Sequence, residues 1–92
     1  MCGIFGIASV SALAESRCLL EALTDRLQHR GPDERGSYLD DTVFLGHRRL
    51  SIIDLRGGRQ PMTACDGRYV IVYNGELYNF REVRAALENR GL

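Results

Sequence analysis

The tightest constraint on this chain is how often turn-forming residues interrupt its second half. Gly31-Pro32, Gly36, Gly57-Gly58, Pro61, Gly67 and Asn74-Gly75 leave apolar runs only a few residues long. Runs that short suit strands, because a helix needs about ten residues or more to bury a face. We therefore expect short strands near 37–39, 43–47, 50–53 and 69–73, with 76–78 continuing beyond Asn74-Gly75 as the second arm of a tight hairpin. Residues 32–36 and 63–67 read as turns. At the front, residues 3–8 read as a buried strand, with glycines marking close backbone approach.

Two segments keep helical spacing. Ser11 can cap a first helix whose stripe holds Leu19, Leu20, Leu23 and Leu27, with Cys18 packed in the core and Gly31-Pro32 as the stop. Asn79 can cap a second helix, with Glu82 three residues on as in a capping box. Val83, Ala86 and Leu87 supply its apolar face, and Gly91 ends it. The order of strand, helix, several strands and helix gives an α/β or α+β layout.

The length of 92 residues allows one small domain. Twelve basic and twelve acidic side chains cancel, so no global charge pulls the chain toward nucleic acid or an anionic membrane. Three cysteines without a CxxC pair argue against a disulfide scaffold, and His29 and His47 fit no zinc spacing. The apolar opening is too short to span a bilayer and lacks a basic flank. A soluble, cytoplasmic protein with no metal is expected. The sheet edges lack partners, which suggests a piece of a longer chain.

Cys2 is the candidate nucleophile. A small second residue permits removal of Met1, which would put a thiol and a free α-amine on one residue. The amine titrates near pH 8 and can act as a base for the thiol, which needs activation at neutral pH. Taken alone, a cysteine at position two is more commonly a small core residue, and only its company gives it weight. Cys65 reads as exposed in a turn. Arg48 and Arg49 lie between apolar stretches. A guanidinium suits the carboxylate of an amino acid, and the plainer alternative is a pair of solvated strand-edge charges. Asn74 and the Gly75 N–H are two donors that could stabilise an oxyanion. Glu76 could accept from a substrate ammonium, or stand as an ordinary exposed carboxylate. His47 could be a base, but a terminal amine makes one unnecessary. Asp33, Asp40, Asp41 and Asp54 read as turn and surface residues.

Five stretches, in order, carry a resemblance: MCGIFGI at the start, HRGPDERG at 29–36, GHRRLSIIDL at 46–55, GGRQPM at 57–62 and YNGELYNF at 73–80. Together they resemble the class II glutamine amidotransferase domain of glutamine-hydrolysing asparagine synthetases. The opening tetrapeptide is common to all class II amidotransferases; the arginine segment, the QPM turn and YNGELYN are more specific. The resemblance implies an α+β fold of the N-terminal-nucleophile hydrolase type, with stacked antiparallel sheets flanked by helices, incomplete in residues 1–92. It implies that Cys2 is the nucleophile. It also implies that Arg49, helped by the backbone of Leu50, Ser51, Ile52 and Ile53, holds the α-carboxylate of L-glutamine. Asn74 and Gly75 would form the oxyanion hole, and Glu76 would contribute to glutamine binding.

The implied reaction releases ammonia from the glutamine side-chain amide through a Cys2 thioester. In full-length relatives a C-terminal synthetase domain, in cis, passes the nitrogen to aspartate activated with ATP and magnesium; a homodimer is allowed. That domain, with its cofactors, and an acidic residue that helps bind the ammonium lie beyond residue 92, and no phosphate loop is recognisable. Three readings follow: such an amidotransferase, here or with another nitrogen acceptor; a non-catalytic or truncated module of the same fold; and an N-terminal-nucleophile amidase for a different amide, which would have no use for Arg49 as a clamp.

Overall fold

The computed structural model describes residues 2–50 and 58–92. Its elements are β1 (Gly3–Ala8), α1 (Arg17–Asp25), β2 (Glu34–Leu39), β3 (Val43–Arg49), β4 (Met62–Ala64), β5 (Tyr69–Ile71) and α2 (Phe80–Asn89). The molecule is α+β. One antiparallel sheet has the order β1-β3-β2, and β4 pairs with β5 in a second.

β3 is the central strand, and its two faces do different work. Successive strand side chains point to opposite faces. On one face lie Phe44, Gly46 and Arg48, with Ser37 and Arg35 opposite Gly46 and Arg48 on β2. Helix α1 docks here. Its Thr24 sits against Gly46 so closely that a Cβ at Gly46 would overlap the Thr24 hydroxyl. Leu20, Thr24 and Phe44 are fully buried, and Phe44 meets Phe5 of β1 with ring centroids 6.0 Å apart. The Thr24 hydroxyl, which could not be left unpaired in this core, donates to the Leu20 carbonyl at 3.0 Å. On the other face lie Leu45, His47 and Arg49, with Gly36 and Glu34 opposite the last two.

Arg48 fastens the docked helix. Its Nε donates to the Gly31 carbonyl at 2.9 Å, Nη1 to Asp25 at 3.2 Å and Nη2 to the Pro32 carbonyl at 3.3 Å. Arg35 also pairs with Asp25, at 2.5 Å. Neither arginine of the pair is a solvated edge charge: Arg48 is 9% exposed and Arg49 5%. Gly31 is buried beside the Arg48 backbone, where a side chain would overlap the Arg48 carbonyl. Its glycine is required by that approach and not by a helix stop.

Several expectations need correcting. The first helix is capped by Ser16, whose side chain accepts from the Leu19 N–H, and not by Ser11. It ends at Asp25, and turns carry the chain to Gly31. One helix stripe, Leu20 and Thr24, meets the sheet, and Leu27 in the turn that follows packs on Gly3, so Leu19 and Leu23 are substantially exposed and Cys18 is exposed, not core. Among the described residues β1 stands at the edge of its sheet, covered on one face, so Ile4 is exposed rather than buried. β2 begins at Glu34, inside the segment read as a turn, because residues 34–36 pair with His47–Arg49. Likewise β4 occupies 62–64, and the turn that follows uses positive φ at Cys65, Asp66 and Gly67.

Asn74-Gly75 is not a hairpin, since β5 stops at Ile71 and residues 76–78 form no strand. Asn79 stands at the N-cap of α2, but its side chain makes no capping bond. Gly91 does end α2. With φ +80° it lets the Leu92 and Gly91 amides return to the Leu87 and Glu88 carbonyls, a Schellman pair. α2 buries no residue. The strand expected at 50–53 and the readings of Asp54 and Gly57 fall largely on 51–57, outside the described residues.

His47 is 1% exposed. Burial holds its pKa below the ordinary 6.5, and the nearby Arg49 charge adds to this. A bond to the Tyr73 carbonyl and the Glu34 carboxylate oppose it. The folded state therefore favours neutral imidazole. As pH falls below 6.5 the unfolded chain takes up a proton that the folded chain resists, so stability falls over that window and is flat above it. Urea midpoints measured from pH 7.5 to 5.5 should show this decline, and His47→Gln should flatten it. The Gly46 contact gives a second test. Gly46→Ala should cost about 1–3 kcal/mol through overpacking, and Thr24→Ala in the same chain should recover part of it in a double-mutant cycle.

Candidate functional site

The site lies on the β3 face turned away from α1. Because Gly3 registers with Arg48, Cys2 falls just past the ladder, level with the end of β3. The Leu50 N–H points at its sulfur, 3.4 Å from Sγ, and the Leu50 carbonyl lies 3.9 Å from the same atom. The Cys2 carbonyl accepts from Arg30 Nε at 3.3 Å. The opening of the chain is thus held at both its backbone and its thiol. Cys2 is half-buried, whereas Cys18 and Cys65 are exposed.

Arg49 shares this face. Its side chain is 6% exposed, and Nη1 donates to Glu34 Oε2 at 3.5 Å. The second Glu34 oxygen faces Arg59 Nε at 3.6 Å. Arg48, one residue away, is spent on α1 and reaches the opposite face. Strand alternation therefore separates two adjacent arginines into a structural one and one that faces the cavity.

A cavity of about 390 Å³ opens between these residues and the segment after β5. That is toward the small end of ligand pockets, which run from about 300 to 1,000 Å³. Cys2, Arg49, Leu50, Asn74, Gly75 and Glu76 all line it. Ser51, Ile52 and Ile53 lie outside the described residues. Four further residues, Gly58, Gln60, Tyr73 and Tyr78, complete the wall. Of these Gln60 is the most informative. Its carboxamide pairs with the Tyr73 backbone on both sides, and no spacing rule links positions so far apart. The only hint was its place in the GGRQPM stretch. His47 Nε2 also reaches the Tyr73 carbonyl, at 3.2 Å.

A larger groove, about 520 Å³, runs along α2 past Leu77, Phe80, Val83 and Leu87. It contains no thiol or imidazole, so the chemistry points to the smaller cavity. Among the described residues no three His, Cys, Asp or Glu side chains gather to hold a metal, and no helix is long and apolar enough to cross a membrane.

The smaller cavity combines a thiol, a backbone N–H beside it, a buried guanidinium, a carboxamide and a carboxylate. A guanidinium and a carboxylate lining one cavity suit a ligand bearing both charges of an amino acid, and a thiol there can serve as a nucleophile.

The sequence matches the glutamine amidotransferase domain family over residues 1–92. It is 40% identical to asparagine synthetase [glutamine-hydrolyzing] 2 of Bacillus subtilis, across 97% of this chain and 12% of that protein. It is 42% identical to asparagine synthetase [glutamine-hydrolyzing] 1 of the same organism, across 99% of this chain and 15% of the relative. With asparagine synthetase B [glutamine-hydrolyzing] of Escherichia coli the identity is 40%, across 98% and 16%. The chain spans less than a fifth of the length of these relatives, which continue into a much larger remainder. Matched along its whole length, with Cys2, Arg49, Leu50 and residues 74–76 lining one cavity, the chain belongs to the glutamine amidotransferase domain family.

Proposed function

We propose that this chain is the glutaminase portion of a glutamine-hydrolysing asparagine synthetase, built on an N-terminal-nucleophile hydrolase fold. The observation that carries the reading is the meeting of the Cys2 thiol with Arg49 and residues 74–76 around one cavity.

With Met1 removed, the Cys2 α-amine takes the thiol proton. The thiolate attacks the side-chain carbonyl carbon of glutamine, and the carbonyl oxygen becomes an oxyanion held by the Asn74 amide and the Gly75 N–H. The carbon–nitrogen bond breaks, the ammonium of Cys2 returns its proton to the leaving nitrogen, and ammonia departs. A γ-glutamyl thioester remains on sulfur. Water, deprotonated by the same amine, then attacks the thioester; glutamate leaves and the thiol is restored. Arg49, with the backbone of 50–53, holds the α-carboxylate, and Glu76 faces the α-ammonium.

Delivery of the ammonia to an aspartate activated with ATP and magnesium belongs, on this reading, to the part of the protein that the relatives carry outside the matched region. The names of those relatives, glutamine-hydrolysing asparagine synthetases, support an asparagine-forming acceptor step. A cytoplasmic location and a homodimer accord with the same reading.

Two measurements test it. A diazoketone analogue of glutamine should alkylate Cys2 and leave Cys18 and Cys65 unmodified. Since those two are the exposed thiols, a reagent selecting for access alone would label them first, and that pattern would overturn the proposal. In the protein as its gene encodes it, Arg49→Ala should raise the glutamine KM about 10- to 100-fold, from the roughly 1.5–3 kcal/mol of a charged hydrogen bond. An unchanged KM would remove the clamp.

A further inference from the structure

Tyr73 immediately precedes the two residues proposed to hold the oxyanion. It lies beyond the end of β5 and outside any described ladder. Its backbone is nonetheless paired on both sides. The Tyr73 N–H donates to Gln60 Oε1 at 2.5 Å, and Gln60 Nε2 donates to the Tyr73 carbonyl at 3.0 Å. One carboxamide therefore makes the two bonds that a neighbouring strand residue would make. The same carbonyl lies 3.2 Å from His47 Nε2, which reaches it from the buried face of β3. The Gln60 backbone in turn is seated against β2, where a Cβ at Gly36 would overlap its main-chain carbonyl.

The Tyr73 carbonyl belongs to the same planar peptide unit as the Asn74 N–H. Bonds that fix this oxygen therefore fix the plane from which Asn74 and Gly75 extend. Asn74 and Gly75 are themselves exposed, so little packing around them restrains their direction. An oxyanion hole works only when its donors are already aimed.

We propose that Gln60 and His47 are positioning residues. They clamp the Tyr73 carbonyl from β3 and from the segment before β4, and so aim the Asn74 and Gly75 donors at the oxyanion. This rests on the glutaminase reading above. The clamp acts on the reacting amide and not on the amino-acid end of the substrate, which Arg49 and Glu76 face. Its loss should therefore appear in kcat and leave substrate binding nearly untouched.

The test uses the protein as its gene encodes it and two probes. Glutamate reports ground-state binding. Glutamate γ-semialdehyde reports the hole, because the Cys2 sulfur bonds to its aldehyde carbon, the carbon–oxygen π bond opens, and the oxygen takes the oxyanion position. Gln60→Met keeps the side-chain length and loses both hydrogen bonds. Gln60→Glu keeps the acceptor and loses the donor. His47→Gln can keep a donor near the Nε2 position, and His47→Leu cannot.

In Gln60→Met, kcat and semialdehyde affinity should each fall about 10- to 100-fold, as expected for misaimed catalytic groups, with glutamate affinity changing less than about 3-fold. Gln60→Glu should fall between Gln60→Met and the unsubstituted protein. His47→Gln should hold kcat where His47→Leu loses it. If both Gln60 variants retain the unsubstituted kcat, or if glutamate and semialdehyde affinities drop together, the positioning role is wrong and the glutaminase reading stands. If the unsubstituted protein neither releases ammonia from glutamine nor binds the semialdehyde more tightly than glutamate, both fall.

Discussion

Everything in this molecule depends on the alternation of side chains along one strand. Among the described residues β3 is the one strand of its sheet with a partner on each edge, and it is packed on both faces. Phe44, Gly46 and Arg48 receive α1, while His47 and Arg49 lie on the other face, where Arg49 lines the cavity. A slip of one residue in the pairing of β3 would exchange these sets. Arg49 would then be driven toward the helix and Arg48 toward the site. The fit of Thr24 against Gly46 opposes that slip, since position 45 or 47 would present a side chain where only a glycine can pass. A contact remote from the thiol thus sets the register that brings Arg49 beside Cys2.

Burial of charge fits the same scheme. Arg48 and Arg49 are both taken out of water, which is costly unless their donors are met. Arg48 meets the cost with two carbonyls and Asp25, and in doing so ties the turn after α1 to the strand. Arg49 leans on Glu34, which Arg59 also approaches. Glu34 can hold the Arg49 fork in place while Arg49 still borders the cavity. No buried side-chain nitrogen or oxygen among the described residues lacks a partner. His47 adds to this economy: kept neutral by burial, it contributes a hydrogen bond at the back of the site without adding a third positive charge beside the two arginines.

Much of the local structure was legible in the sequence, and the failures share a cause. Period and punctuation found β1, β3, β5, both helices and the stop at Gly91, because those depend on neighbours in sequence. They misplaced what depends on contacts across the fold. Ser11 is as good a cap as Ser16 in isolation, but in the fold the Ser9 and Leu13 amides bond to the Thr42 and Asp41 carbonyls at the β2–β3 turn instead. Leu19 and Cys18 look like core by hydropathy, while the core position is held by Thr24, a polar residue satisfied within its own helix. Asn74-Gly75 resembles a hairpin turn because sequence rules assume that backbone groups pair with backbone. At Tyr73 they pair with the Gln60 side chain, and the second strand never forms.

The site was legible in another way. No spacing rule connects residues 2, 49 and 74, and their meeting around one cavity could be anticipated only from the resemblance. What the resemblance could not supply is the reason that these positions hold still. Cys2 and Arg49 are fixed by strands whose hydrogen bonds and buried faces leave little freedom. Asn74 and Gly75 sit on an exposed segment with no ladder of its own. A catalytic geometry made of one rigid half and one unsupported half would lose its aim through the looser half. The side chains of Gln60 and His47 link the two, carrying the order of β3 to the backbone at Tyr73. The Cys2 thiol and the backbone of Asn74 and Gly75 are thereby referenced to the same strand.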